Sequence, residues 1–259
     1  MIEPTPFPAI NGTLAALLAA VQEALAEQFV GLYLYGSLAS GDFDLDTSDV
    51  DFLVVTRDVL PDFAFEKLGA AHQQLWHSGD PWAAKLEGSY LAWAALPRYD
   101  PTDRTPWPTL NEGAFYRAAH GWDWVLQRAI LREHGIVVAG PPIAPQIEPG
   151  GPGALRAAIG ALLAEWWEPM LAEPARLPQP NYQAYAILSM CRALYTLAHG
   201  TIASKPAAAR WAQAAFPALA PAIEQALAWR PGAPLEQFAA TEALIQRAVR
   251  EAQKSRGPA

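Results

Sequence analysis

Residues 34–55 read LYGSLASGDFDLDTSDVDFLVV, where Gly36-Ser37 ends one apolar run and Ser48-Asp49-x-Asp51 opens the next. Each of these residue types has a use in handling phosphate. Gly36 permits a tight turn and close approach of backbone to a ligand. Ser37 offers a hydroxyl and a backbone N–H, and a helix starting there would aim its N-terminal N–H groups at an anion. Asp49 and Asp51 are two apart, so on a strand both side chains face one way. Carboxylates that close repel each other, and a hard divalent cation relieves the repulsion. Magnesium (Mg2+) is typically held by one or two carboxylates together with substrate phosphates. A pair of metal ions could clamp an in-line displacement at phosphorus. Alone, Gly-Ser after a strand is a turn, and a DxD before an apolar run is a solvated strand end. Joined as strand, Gly-Ser, short loop, Ser-Asp-x-Asp and strand, they point to catalysis.

The elements that must position these residues follow from the pattern along the chain. Residues 13–28 have apolar positions at helical spacing, with Thr13 as the expected cap. VGLYLYG is a first strand and DVDFLVVT a second; the link of about twelve residues is too short for a crossover helix. Residues 62–78 read as a helix. KLEGSYLAWAAL reads as a third strand with Lys85, Glu87 and Ser89 on one face. Residues 113–134 are expected to be one long helix, and HGIVVAG a last strand. The Pro- and Gly-rich PPIAPQIEPGGPG marks a boundary. Beyond it, 153–172, 182–200, 205–215, 218–229 and 235–254 read as helices, with RAVREAQKSRGPA as a frayed end. The expected fold is an α/β domain with a mixed sheet over 1–150 and an all-α helical bundle over 151–259.

Composition narrows the function. The chain has 259 residues, is just over half hydrophobic and can bury a sizeable core. No stretch of about 18 apolar residues is uninterrupted, so no membrane span is expected. The start, MIEPTPFPAI, lacks the pattern of a secretory signal. A single cysteine, Cys191, fits a cytoplasmic home. A net charge of −8 argues against nucleic acid as partner and suits a cationic small molecule. The five histidines are scattered, with no zinc-ligand spacing. Basic residues are mostly Arg; the four lysines are Lys67, Lys85, Lys205 and Lys254.

The Gly-Ser…Asp-x-Asp unit resembles the polymerase-beta-type nucleotidyltransferases. Arg132-Glu-His-Gly-Ile-Val-Val-Ala-Gly-Pro141 is similar to the end of the catalytic domain in the streptomycin/spectinomycin adenylyltransferases. Leu188-Ser-Met-Cys-Arg192, Leu194-Tyr195, Gly200, Ile202-Ala-Ser-Lys205, Ala208 and Trp211-Ala212 resemble their helical C-terminal domain. The resemblance implies that Ser37, with Gly36 and Ser48, binds the triphosphate of ATP. It implies that Asp49 and Asp51 hold magnesium, with Glu87 as third carboxylate and general base toward the acceptor hydroxyl. Lys205 would reach the triphosphate as a point charge, and acceptor and nucleotide would meet between the domains. Arg192 reads as structural, its stem packed in the bundle.

The chain departs from the resemblance at the acceptor. The drug-modifying relatives hold their cationic substrate with acidic residues at the start of the helix near 182. Here that segment is Leu177-Pro-Gln-Pro-Asn-Tyr-Gln-Ala-Tyr185, without a carboxylate. A charged hydrogen bond of this kind is worth about 1.5–3 kcal/mol. Asp123, Tyr182 and Tyr185 are assigned to the acceptor instead, and Glu112 to the surface. Trp107, Trp122 or Trp124 could supply the aromatic that relatives stack on streptomycin. Trp166-Trp167 is read chiefly as packing. The expected reaction is transfer of AMP from ATP to a hydroxyl of an aminoglycoside or aminocyclitol antibiotic by a monomeric, magnesium-dependent enzyme. Two alternatives stand beside it: the same chemistry on a metabolite, protein or RNA, and a non-catalytic nucleotide-binding relative.

Overall fold

A computed structural model describes residues 3–255 and divides them into two compact units. The first comprises residues up to 149, except 45–47, which cluster with the second unit's residues from 150 onward.

In the first unit, α1 (Pro8–Leu25) starts earlier than expected, because Pro8 at the first helical position has no N–H to satisfy. Thr13 therefore caps nothing. It is buried inside the helix, where its hydroxyl bonds Ala9 O at 3.3 Å and the Asp80 carboxylate. The stretch Pro8–Gln28 is long and apolar enough to cross a membrane by length and composition. Here its stripe Ile10, Leu14, Leu17, Val21 and Leu25 is buried in the core of the unit. There follow β1 (Phe29–Leu34), α2 (Gly36–Ser40), β2 (Val50–Thr56), α3 (Asp62–Trp76) and β3 (Leu86–Ala92). Lys85 ends a short 3-10 turn before β3 and is not on the strand.

The expected helix over 113–134 is not one element. Trp107–Asn111 (β4) and Ala114–Ala118 (β5) pair as a hairpin, and only Asp123–His134 (α4) is helical. Asn111 pairs with Ala114 across a two-residue loop in which both Glu112 (φ 48) and Gly113 (φ 75) are left-handed. That turn matches the twist of paired strands and cannot sit inside a helix. Ile136–Ala139 forms β6. The sheet order is β5-β4-β3-β2-β1-β6, with β2 and β3 parallel and the other pairs antiparallel. The sheet is thus mixed, as the short β1–β2 link and the helical β2–β3 connection require.

Strand alternation divides the sheet by face. Leu32, Leu34, Val50, Phe52, Val54, Leu86 and Tyr90 join α1 and α3 in one core. The intervening residues, among them Tyr33, Asp51, Glu87 and Ser89, point to the opposite face.

The second unit is helical: α5 (Pro152–Leu162), α6 (Pro169–Ala172), α7 (Pro180–His199), α8 (Lys205–Ala215), α9 (Ala220–Ala228) and α10 (Phe238–Ser255). A π-helical turn, Leu163–Trp167, interrupts the first expected helix. The central α7 buries Ile187, Met190, Cys191, Leu194 and Leu197, while α8 offers Ala208, Ala209 and Ala212, whose small side chains allow close helix approach. The end of RAVREAQKSRGPA, 256–259, lies outside the described residues, as does the start of the N-terminal MIEPTPFPAI.

Candidate functional site

The two innermost strands carry the acidic pair. Asp51 and Glu87 are direct partners in the parallel β2–β3 register, each the second residue of its strand. Neighbouring strands lie about 4.8 Å apart, so the two carboxylates leave one face side by side. Both are half-buried. Asp49 lies one residue before β2 and is exposed; the expectation that both aspartates stand on the strand holds only for Asp51.

Gly36 is fitted against Asp51. Its φ is +63, and a Cβ there would stand 1.8 Å from Asp51 Oδ2 and 2.6 Å from Cγ. The carboxylate fills the space that any other residue's side chain would take. Tyr35, extended, donates its N–H to Asp51 O at 3.1 Å and so ties the end of β1 to β2. The short α2 then starts at Gly36 without a side-chain cap from Tyr35 and holds the half-buried Ser37 in its first turn. Amide groups at such a start suit an anion.

The loop back to β2 is hydrogen-bonded to itself. Ser48 N–H donates to Asp44 O at 2.9 Å, and Asp44 N–H donates to Ser48 Oγ at 3.0 Å. Lys85 Nζ donates to Ser48 O at 3.3 Å. Ser48 thus shapes the loop that delivers Asp49 and Asp51.

Sequence reasoning missed Tyr35. Its ring is buried, and burial together with the negative charges of Asp51, Asp123 and Glu87 pushes its phenol well above the usual range. A phenol held protonated beside three carboxylates is a neutral donor among them. Asp123 opens α4, and burial raises its carboxyl. Next to it, Trp124 lies 6.0 Å from the Tyr35 ring and stacks on His120 at 3.7 Å. His120 Nε2 bonds Ser89 Oγ at 2.9 Å, two residues along β3 from Glu87. Burial, then the Arg128 charge, lowers His120 to about 3. Arg128 is buried and donates to the carbonyls of Leu96, Trp124 and Ala95. Tyr99, Asp103, Trp107, His120 and Arg128 line a pocket of about 460 Å³ in this unit. The alternation in LYLYG marks Tyr35 as facing away from Leu34; only the fold shows which carboxylates it meets.

Of the aromatics considered for stacking, Trp107 and Trp124 are buried, and Trp122 packs on Tyr99 at 5.3 Å. Glu112 is exposed in the hairpin turn. In the helical unit, Lys205 is the first residue of α8, capped by Ser204, and its Nζ lies 4.8 Å from the Tyr185 ring centre. Tyr182 and Tyr185 are neighbours on α7, their rings 5.5 Å apart. The structure therefore gathers Gly36, Ser37, Asp51 and Glu87 with Asp123 in one unit, and Tyr182, Tyr185 and Lys205 in the other.

A divalent cation fits the first group. The Asp51–Glu87 pair has hard oxygen donors on one face and a glycine cradle at Asp51. Among the described residues, no three or more His, Cys, Asp or Glu side chains are gathered to hold a metal ion. The expected trio of Asp49, Asp51 and Glu87 is therefore no ready-made cage. Magnesium commonly completes its shell with phosphate oxygens and water.

Residues 18–88 match the nucleotidyltransferase domain family, and residues 153–255 match the aminoglycoside adenylyltransferase C-terminal domain. Among solved structures, the chain is similar to a spectinomycin adenyltransferase from Enterococcus faecialis, solved with ATP and spectinomycin. That likeness has a TM-score of 0.72 at 15% identity and covers 93% of this chain and 98% of the other. Comparison with curated proteins finds no match.

Proposed function

We propose that this chain, a nucleotidyltransferase of the aminoglycoside adenylyltransferase family, transfers AMP from ATP to a hydroxyl of an aminocyclitol or aminoglycoside antibiotic of the streptomycin or spectinomycin type. The observation that carries the chemistry is the matched pair Asp51 and Glu87, with Gly36 shaped around Asp51. Ser37 and the amides at the start of α2 take the triphosphate, and Ser48 keeps the loop in place. Asp51, Asp49 and Glu87 would hold magnesium, which supplies charge neutralisation at the phosphates when bound. Glu87 accepts the proton of the attacking hydroxyl as that oxygen bonds the α-phosphorus and pyrophosphate leaves. Tyr35 keeps a neutral hydroxyl among the carboxylates, and Asp123 adds negative charge that favours a cationic acceptor. The protein's share of the rate is positioning and electrostatics.

The test is pyrophosphate release from ATP and magnesium against a panel of acceptors that includes streptomycin and spectinomycin. Release that depends on one drug, with that drug gaining the mass of one AMP, supports the proposal. Release with a different hydroxyl compound and with neither drug sinks the antibiotic part and leaves the chemistry. One observation favours that second reading: the first turn of α7 has no acidic residue.

A further inference from the structure

We infer that the helical unit carries a further binding site, apart from nucleotide and acceptor, for a small anionic molecule with an apolar body. Arg247 and Arg250 of α10 take its phosphate or carboxylate group, and Phe216 and Leu219 take its apolar part.

The site is a pocket of about 380 Å³ between the turn after α8 and the side of α10. Phe216, Pro217 and Leu219 line it from the turn, and Ala243, Arg247 and Arg250 from the helix. Its volume is in the range of small-molecule sites, which begins near about 300 Å³. All of these residues belong to one unit. The helix α8 runs from Lys205 to Ala215, and at about 1.5 Å per residue its two ends are roughly 15 Å apart. Lys205, with Tyr185 beside it, stands at one end, and the pocket opens at the other. It is therefore not the place assigned to the triphosphate or to the acceptor.

The charge in this pocket is not balanced by the chain. Arg247 and Arg250 are three apart on α10 and share a face. Among the described residues, no Asp or Glu lines the pocket, and neither arginine has an ion pair or a hydrogen bond. Acids outnumber bases in the sequence, 26 to 18, yet none is placed here. A ring holds Arg247 instead: its Cζ lies 4.0 Å from the centre of Phe216, which Trp211 meets edge-on at 5.7 Å. A cation on a ring face is fixed without using its N–H donors. The Nε–H of Arg247 is buried and has no acceptor. Buried donors are nearly always paired, with protein, water or a bound ion, and the chain supplies no partner for this one. A planar guanidinium matches the oxygens of phosphate and carboxylate. The apolar wall beside it favours an organic anion over a bare inorganic one. The rival explanation is that water fills the place and both arginines serve only as solvated surface; it predicts no difference between organic and inorganic anions.

The experiment is calorimetric titration of the full chain, without magnesium, with phenyl phosphate, benzoate and inorganic phosphate. At least one aromatic probe should bind with Kd near or below about 5 mM, and more tightly than inorganic phosphate. Whichever aromatic probe binds better identifies the oxyanion. Arg247→Gln should weaken that binding by about tenfold or more, the worth of a charged hydrogen bond. Arg250 is exposed, so Arg250→Glu should abolish probe binding with an unchanged melting curve, and it decides alone if Arg247→Gln fails to fold. ATP binding, titrated separately with magnesium, should be the same in Arg250→Glu as in wild type. Failure of wild type to bind either aromatic probe overturns the inference, as does binding that ignores both substitutions or fails to exceed that of inorganic phosphate. Loss of ATP binding together with probe binding in Arg250→Glu also overturns it, because the arginines would then belong to the nucleotide's site. None of these readouts needs turnover, so this site and the transfer of AMP stand or fall separately.

Discussion

Replacing Gly36 by alanine tests the site most directly. Two effects combine there. The residue is left-handed, at φ +63, which costs an alanine about 1–2 kcal/mol. The added Cβ also stands 1.8 Å from Asp51 Oδ2, against a comfortable contact near about 3.5 Å. The carboxylate must therefore retreat by roughly 1.7 Å, and a misplacement of about 1 Å can lower a rate on the order of a hundredfold. Gly41 provides the control. It is also left-handed, at φ +77, but an added Cβ there meets nothing within 4 Å. Both variants should lose about 2–8 °C in Tm, from about 2–4 °C per kcal/mol in a domain of this size. Only Gly36→Ala should lose pyrophosphate release, by about a hundredfold or more. Equal activity losses in the two variants would refute the steric argument, and a folded, fully active Gly36→Ala would detach Asp51 from the chemistry.

Other expectations concern charge and stability. Asp51→Asn keeps the shape of the side chain and removes its charge; turnover should fall at least about a hundredfold with an unchanged melting curve, and full activity would refute the metal assignment. Arg128→Lys cannot reach the three carbonyls now bonded by the guanidinium. With at least two left unsatisfied at about 1–3 kcal/mol each, Tm should drop by about 4 °C or more, and a Tm loss under 1 °C would count against that network. His72, buried against Tyr90, has its pKa lowered from 6.5 to about 4 by burial. Its folded pKa is depressed, so its contribution is complete above pH 6.5 and is lost as pH falls through about 4. That loss is roughly 3 kcal/mol. His72→Phe should accordingly be slightly less stable than wild type at pH 7 and more stable at pH 4.5, read by denaturant unfolding at each pH; parallel curves would disprove it.

The chemistry was more legible in the residues than the frame around it. The Gly-Ser and Asp-x-Asp runs lie close in sequence, so spacing alone could pair them. The β1, β2 and β3 runs are apolar enough to stand out, and β2 is also β-branched at Val50, Val54, Val55 and Thr56. The hairpin of β4 and β5 was missed because AFYRA is only half-buried and its pattern suits either period. The signal available was Glu112-Gly113 between two β-rich runs, a two-residue left-handed loop. Thr13 misled because a good capping residue inside a helix looks like its start. The partners of Tyr35 could not be read at all. Asp51, Glu87 and Asp123 come from three elements far apart in sequence, and only strand register and the placing of α4 bring their charges to one phenol.

The position of the acidic pair in the strand order has a consequence for how the enzyme fails. Asp51 and Glu87 stand on the two middle strands of six, with two more strands on either side. Their separation is set by main-chain pairing, which acts as a ruler that side-chain changes elsewhere do not stretch. Amides of β2 and β3 should then be among the last to exchange with solvent. Loss of catalysis on heating should coincide with global melting rather than precede it. The same ruler leaves the surroundings open to change: a lineage could rebuild its acceptor surface many times over and keep one spacing between two carboxylates.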